Sequence, residues 1–188
     1  MKKIFESSYV KQDKNAKTLS FFCTKDLVMI NRDIISQLVE KTKNNGNCDI
    51  RISLHKSPLE DFHNMIILQN KNNYYRPHRH QRKVESYQMI KGKMGIFIFN
   101  DDGELLESNV LSTGKNFIYR ISANAWHVSI PLTEFVIFHE SKLGPFLGKD
   151  DSIFPKWAPD GSDPYTAKNF FASLLKRLKN DMEVIKNA

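Results

Sequence analysis

Between Phe62 and Lys142 the chain is a succession of short apolar runs separated by turn residues, and this spacing restricts the fold more than any other feature. Residues 65–69, 74–82, 84–91, 93–100, 117–122, 127–131 and 134–141 each have the length of a strand. Gly92 separates two of them. The segment I-F-I-F-N-D-D-G-E-L-L-E places Asp102-Gly103 at a hairpin turn. Many short strands with turn residues between them predict a mainly β fold, a jelly-roll-like sandwich or barrel.

The flanks are of another kind. Before residue 31 the pattern gives short extended pieces, such as 19–24 and 27–30. Asn31 then caps a predicted helix over about 32–45. Ile34, Ile35, Leu38 and Val39 share one face of it, and Gly46 ends it. Beyond the strands, Gly144, Pro145, Pro155, Pro159 and Gly161 mark an irregular, wrapped tail. Asp163 is a helix cap with Pro164 at the first helical position. Ala167, Phe170, Phe171, Leu174, Leu175, Leu178, Met182 and Ile185 form the apolar stripe of that last helix. Lys168, Lys176, Lys179, Asp181 and Lys186 mostly avoid the stripe. The helix is expected to pack on the barrel or on a second subunit, as in a homodimer. The 188 residues thus read as one domain. An N-terminal extension covers 1–60, a barrel 61–146, and the tail and terminal helix 147–188.

Chemistry concentrates in H-R-H-Q-R-K-V-E-S-Y-Q-M-I-K-G, residues 78–92. His78 and His80, one residue apart on a predicted strand, project to the same face. Two neutral imidazoles with the carboxylate of Glu85 suit one divalent transition metal: Zn, Fe, Mn or Ni. Arg76 shares their parity, so a guanidinium near the metal would bind carboxylate or phosphate. The competing reading is a solvated basic loop, R-P-H-R-H-Q-R-K, with two surface histidines. His55, His63 and His139 read as structural or surface residues.

The spacing H-x-H-(x)4-E-(x)6-G resembles the first motif of the cupin superfamily. A second cupin motif, ending in a further histidine, is matched by Ile121-Ser122-Ala123-Asn124-Ala125-Trp126-His127. Its usual Pro and Gly are replaced by Ser122 and Asn124, and Asn can supply the same turn conformation. The resemblance implies the metal ligands His78, His80, Glu85 and His127 and a cupin barrel. It narrows to the WbuC family through Tyr75-Arg76-Pro77-His78-Arg79-His80 with Lys83 and Glu85. Arg51 to His55, Phe99 with Asp101 or Asp102 and Gly103, Trp126-His127, Glu140 with Gly144-Pro145-Phe146, and Trp157-Ala158-Pro159 extend it over residues 27–162. Asp160-Gly161 and Lys156 depart from that family's pattern. What the resemblance implies is a protein encoded among genes for bacterial surface polysaccharides, O-antigen or capsule.

Composition bounds the partners. Two cysteines, Cys23 and Cys48, make no disulfide framework, no apolar run has the length of a membrane span, and the basic start lacks an apolar stretch after it. A cytoplasmic protein without a membrane partner is expected. The formal charge of +7 is spread along the chain and carries no nucleic-acid signature, which argues against a nucleic-acid partner. A small-molecule ligand, a sugar or nucleotide-sugar, is the expected partner. The first function is then a metal-dependent sugar isomerase or epimerase. In that reading Tyr87 and Glu140 are the candidate proton-transfer groups. Arg76, Arg79, Lys83, Trp126 and Trp157 are the candidate substrate contacts. Barrel packing or a solvated rim is the alternative role for each. A non-catalytic metal- or sugar-binding module is the second function. An Fe-dependent dioxygenase is the third, ranked lower because such thiol dioxygenases commonly lose the glutamate kept here as Glu85.

Overall fold

The computed structural model describes residues 3–187, with the side chains of 180–187 undescribed. Met182 and Ile185 of the predicted stripe, and Asp181 and Lys186 among the charged residues that avoid it, therefore lie outside the described side chains. Among the described residues ten strands form two sheets. They are β1 (Val10–Asp13), β2 (Leu19–Cys23), β3 (Ile50–Ser53), β4 (Phe62–Asn70), β5 (Glu85–Lys91), β6 (Lys93–Phe99), β7 (Leu105–Ser112), β8 (Ile118–Ile121), β9 (Trp126–Pro131) and β10 (Phe135–Leu143). The larger sheet runs β1-β2-β3-β4-β10-β5-β8 and the smaller β7-β6-β9. The β2–β3 pair is parallel; the other pairs are antiparallel. Among the described residues no ladder joins the two sheets, so the expected barrel is an open, jelly-roll-like sandwich.

Alternation along the strands builds the layers. Tyr87, Met89, Met94, Ile96, Leu111, Ile121, Val136 and Phe138 point between the sheets and form the central core. The other face of the larger sheet supplies Phe21, Cys23, Ile50, Ile52, Ile66, Leu68 and Ile137, covered by Leu38 of helix α1 (Arg32–Lys43). Asn31 accepts a hydrogen bond from the Ile34 amide, the cap expected of it. The outer face of the smaller sheet supplies Phe97, Phe99, Trp126, Val128 and Ile130, covered by helix α2 (Pro164–Asn187). Asp163 caps α2 through the amides of Tyr165 and Thr166. Its Ala167, Leu174 and Leu178 are buried on the protein's own sheet, so these positions need no second subunit to cover them. Every residue of β9 is buried because that strand has the histidine cluster and the polar interior on one side and α2 on the other.

Two predicted strands are not regular. Residues 27–30 pair with no strand: Val28 and Ile30 pack inward while Leu27 and Met29 are exposed. Residues 74–82 make only isolated bridges, His78 to His127 and Arg79 to Ile153. Pro77 has no amide to donate, so the ladder cannot run through it. The turns are as read. Gly92 has φ +87°, and a Cβ there would lie 2.6 Å from the Phe135 carbonyl oxygen, which admits glycine alone between β5 and β6. Asn124 takes φ +64° in the place of a glycine. Among the described residues no helix is long and apolar enough to cross a membrane.

Docking of α2 on the smaller sheet gives a direct expectation. Leu174→Ala should cost about 2–5 kcal/mol, the usual range for emptying a buried leucine site, in urea-unfolding midpoints. An unchanged midpoint would mean that α2 is not packed there.

Candidate metal centre

The inner face of the sandwich is apolar at one end and polar at the other. Glu85 and Tyr87 occupy alternate positions of β5, His127 and Ser129 of β9, and Glu140 and Lys142 of β10. The segment carrying His78 and His80 lies across this polar end. Its backbone is pinned to β9 by reciprocal amide–carbonyl bonds between His78 and His127, at 3.0 and 2.9 Å. On its other side Arg79 and Ile153 exchange a second reciprocal pair, both 3.0 Å. A single-bridge segment thus holds both histidines on the inner side without being a regular strand.

His78, His80 and Glu85 present ligand atoms within 4.8 Å of one another. His127 faces the same carboxylate, its Nε2 3.7 Å from Glu85 Oε1, while His80 Nε2 is 2.6 Å from that oxygen. The His127 ring centroid is 4.5 Å from that of His78. Each imidazole is oriented through Nδ1 by a main-chain carbonyl: Arg76 for His78, Asp151 for His80 and Ala125 for His127. A carbonyl only accepts, so Nδ1 carries the hydrogen and Nε2 of each neutral ring keeps its lone pair for the centre; at His80 the Glu85 carboxylate beside Nε2 favours an added proton there. Tyr87 Oη donates to Glu85 Oε2 at 2.9 Å, leaving Oε1 turned to the histidines. His127 Nε2 and Glu85 Oε1 are buried without a hydrogen-bond partner. Buried lone pairs that converge without donors are satisfied by a cation, so this set fits a divalent metal held by His78, His80 and Glu85, with His127 positioned beside them.

The electrostatics agree with that donor set. Burial pushes His78 down to about 3, and the neighbouring His127 adds to the shift. Burial also lowers His127. His80 is pulled down by burial, but its bond to the Glu85 carboxylate more than offsets this and the net shift is upward. Burial would raise Glu85, yet His80 and the Lys142 charge hold it below the usual carboxylate range. Tyr87 is pushed well up by burial and by the two nearby carboxylates, so it remains a donor.

A cavity of about 300 Å³ opens on this cluster, lined among others by Gln69, Arg76, Ser129, Glu140 and Lys142. Tyr87, Glu140 and Arg76 of the expected site residues lie on its wall with His78, His80 and Glu85. Arg79, Lys83, Trp126 and Trp157 are placed elsewhere. Arg79 pairs with Asp101 at 2.9 Å and stacks on the Trp126 ring. Trp126 donates through Nε1 to Asp101, and Trp157 packs among Phe99, Trp126 and Phe170. Lys83 donates to Asp151 and to the Pro145 carbonyl. These four tie the outer layer and the tail to the sheets. Lys142 and Asp151 were not singled out in the sequence. The signal for Lys142 is its parity with Glu140 on β10; Asp151, in an irregular tail, gives none.

A family model described as a domain of unknown function (DUF6016) matches residues 30–111, less than half of the chain. No curated protein matches the chain. Similar solved structures include CapF from Staphylococcus aureus, a capsular polysaccharide assembling protein, with TM-score 0.49 and 16% identity, covering 56% of this chain and 29% of CapF. Protein SO0799 from Shewanella oneidensis has TM-score 0.48 and 14% identity, covering 67% of this chain and 85% of that one. KdgF from Halomonas sp. has TM-score 0.42 and 14% identity, covering 52% and 80%. The chain therefore spans less than a third of the length of CapF. The sheet order, and the seating of the histidine segment against β9, define the class: a mainly β, jelly-roll-like fold with a candidate metal site inside it.

Two outcomes follow from the geometry. Metal and proton compete for Nε2 of His80, where the Glu85 carboxylate favours the proton, so apparent affinity should weaken as pH falls and, in that range, binding should release a proton. Calorimetry in buffers of different ionisation enthalpy reads this directly; a buffer-independent enthalpy would contradict it. Asp151→Ala should loosen the carbonyl that orients His80 and weaken metal binding about 10–100-fold, measured by competition with a chelating dye.

Proposed function

We propose that this chain is a metal-dependent enzyme that moves a proton on a sugar or nucleotide-sugar intermediate. The reaction is of the isomerase or epimerase kind, in bacterial surface polysaccharide biosynthesis. The observation that carries the reading is the buried Glu140 carboxyl on the wall of the same cavity as His78, His80 and Glu85. Burial raises Glu140, opposed by the adjacent Lys142, and a carboxyl with a raised affinity for its proton is the kind of group that acid-base catalysis uses. His127 completes a four-donor set around Glu85.

A divalent ion held there supplies Lewis-acid polarisation of a carbonyl or hydroxyl oxygen. The protein's own groups do the rest. Tyr87 fixes the Glu85 carboxylate. Glu140 holds or receives the migrating proton. Lys142, 3.4 Å from Glu140 Oε1, stabilises its ionised form once the proton has left. Tyr74 and Tyr75 also line the cavity. The surface-polysaccharide context is supported by the sequence resemblance to the WbuC family from Arg76-Pro77 to Trp157-Ala158-Pro159.

A second reading is favoured by the same four donors. His78, His80, Glu85 and His127 suffice to close a tetrahedral site, and a closed site belongs to a binding module. Solvent-deuterium exchange into candidate sugars separates the two. The metal-loaded enzyme should wash deuterium into a carbon next to a carbonyl. Glu140→Gln should slow this by about 10²–10⁴-fold with metal content unchanged. Stoichiometric metal with no exchange across sugars and nucleotide-sugars would leave the binding module. Oxygen uptake, in place of exchange, would favour oxidation.

A further inference from the structure

Among the cavity's charged groups, one is held in no ion pair. Glu140 is paired with Lys142, and Glu85 is engaged by the histidines and Tyr87. The guanidinium of Arg76 also lines the cavity, but its partners are of another sort. Nη2 donates to the Pro155 carbonyl at 3.2 Å, and the group lies 4.9 Å from the centre of the Phe154 ring. Its Nε is buried with no hydrogen-bond partner. Among the described residues no carboxylate forms an ion pair with it; the Arg76 charge reaches Asp160, but that carboxylate is exposed to solvent and does not line the cavity. A guanidinium has five N–H donors in a fixed fork, so most of its capacity is unspent. A cation that is partly desolvated and unpaired is costly unless a ligand supplies the negative charge.

Arg76 is also close to the metal cluster. The Phe154 ring that it stacks on has its centre 6.3 Å from that of His78. The carbonyl of Arg76 is the one that orients His78 through Nδ1. Guanidinium and cluster therefore border one end of the same cavity. Two cationic side chains, Arg76 and Lys142, face two acidic ones, Glu85 and Glu140. A divalent ion would leave that wall with a clear positive excess. The volume, about 300 Å³, sits at the small end of ligand pockets. It admits one sugar ring or a short hydroxy acid, and a nucleotide would have to remain outside.

We propose that the cavity selects a small hydroxylated oxyanion, a sugar acid or sugar phosphate, whose anionic group is clamped by Arg76 while a hydroxyl or carbonyl oxygen faces the histidine cluster. Planarity of the fork matches a carboxylate two bonds at a time; a phosphate offers the same contacts. This names the substrate class and rests on the reading of the metal centre. It assigns the anion, however, to a residue that is not a metal ligand.

The test is calorimetric titration of protein loaded with stoichiometric Zn²⁺ or Mn²⁺, using glucuronate, glucose 6-phosphate and glucose as probes. At least one acid should bind about tenfold or more tightly than glucose, as expected for a charge-assisted bidentate contact. Preference for glucuronate over glucose 6-phosphate identifies a carboxylate as the anion, and the reverse identifies a phosphate. Arg76→Met should abolish the preference with metal content and thermal midpoint unchanged. Arg76→Lys, which keeps the charge and loses the fork, should retain only part of it. Equal affinity for acid and neutral probes, including binding of none, overturns the proposal. So does a preference that survives in Arg76→Met, because the anion would then be meeting the metal alone. Failure of the wild type to take up metal would instead overturn the metal centre. The preference of the metal-free protein for the acids would then still decide the role of Arg76.

Discussion

A carboxylate buried to 2% exposure has to be answered by positive charge or by donors, and the interior of this protein is arranged around that requirement at Glu85. Oε2 has a donor, the Tyr87 hydroxyl. Oε1 has none, and two imidazole nitrogens are turned toward it. Because each ring has its Nδ1 hydrogen tied to a main-chain carbonyl, a neutral ring meets the carboxylate through the lone pair of Nε2. Only a cation between them, or an added proton on His80, relieves that meeting. The upward shift of His80 against its own burial is what the metal-free protein does about it.

The same requirement propagates outward. Lys142 approaches Glu140 and Asp151, and Asp151 also receives Lys83 and the Leu147 amide. Asp151 is held below the usual carboxylate range by Lys83, against the effect of its burial. It is therefore ionised wherever the protein is folded near neutrality, and its main chain stays where His80 needs a carbonyl. A tail without regular structure is fixed by ion pairs at its start and by Tyr74 donating to the Pro159 carbonyl further on. These contacts span a long stretch of sequence, and they wall a cavity that two open sheets alone would leave as a groove.

Period and turn chemistry made much of this legible. Asn31 with Ile34, Ile35, Leu38 and Val39 marked α1, and Asp163-Pro164 marked the start of α2. Asp102-Gly103 marked the β6–β7 hairpin. Asn124, in the place of a glycine, marked the turn that delivers His127. The His78, His80 and Glu85 spacing located the cluster because those donors lie close in sequence. What was not legible depends on distant partners. The strand β3 carries only four residues and is defined by β2 and β4 beside it. Residues 74–82 looked like a strand because their side chains do alternate, but alternation reports side-chain direction and not a ladder. Arg79 and Trp126 looked like site residues because they adjoin ligands in sequence. In a strand-like segment a ligand's neighbour points the opposite way, so their side chains meet each other and Asp101 on the outer side.

That parity rule also explains why Arg76 differs from Arg79. Both flank the histidines in R-P-H-R-H, and both guanidiniums stack on an aromatic ring. Arg79, at odd parity, reaches Asp101 and is electrically satisfied. Arg76, at even parity with His78 and His80, faces the cavity wall and finds only the Pro155 carbonyl and the Phe154 ring. Pro77 keeps residue 76 extended, which preserves the parity where the ladder is lost. One short segment thus divides its charge between the scaffold and the site by alternation alone. The arginine on the inner side is the one left without an ion pair.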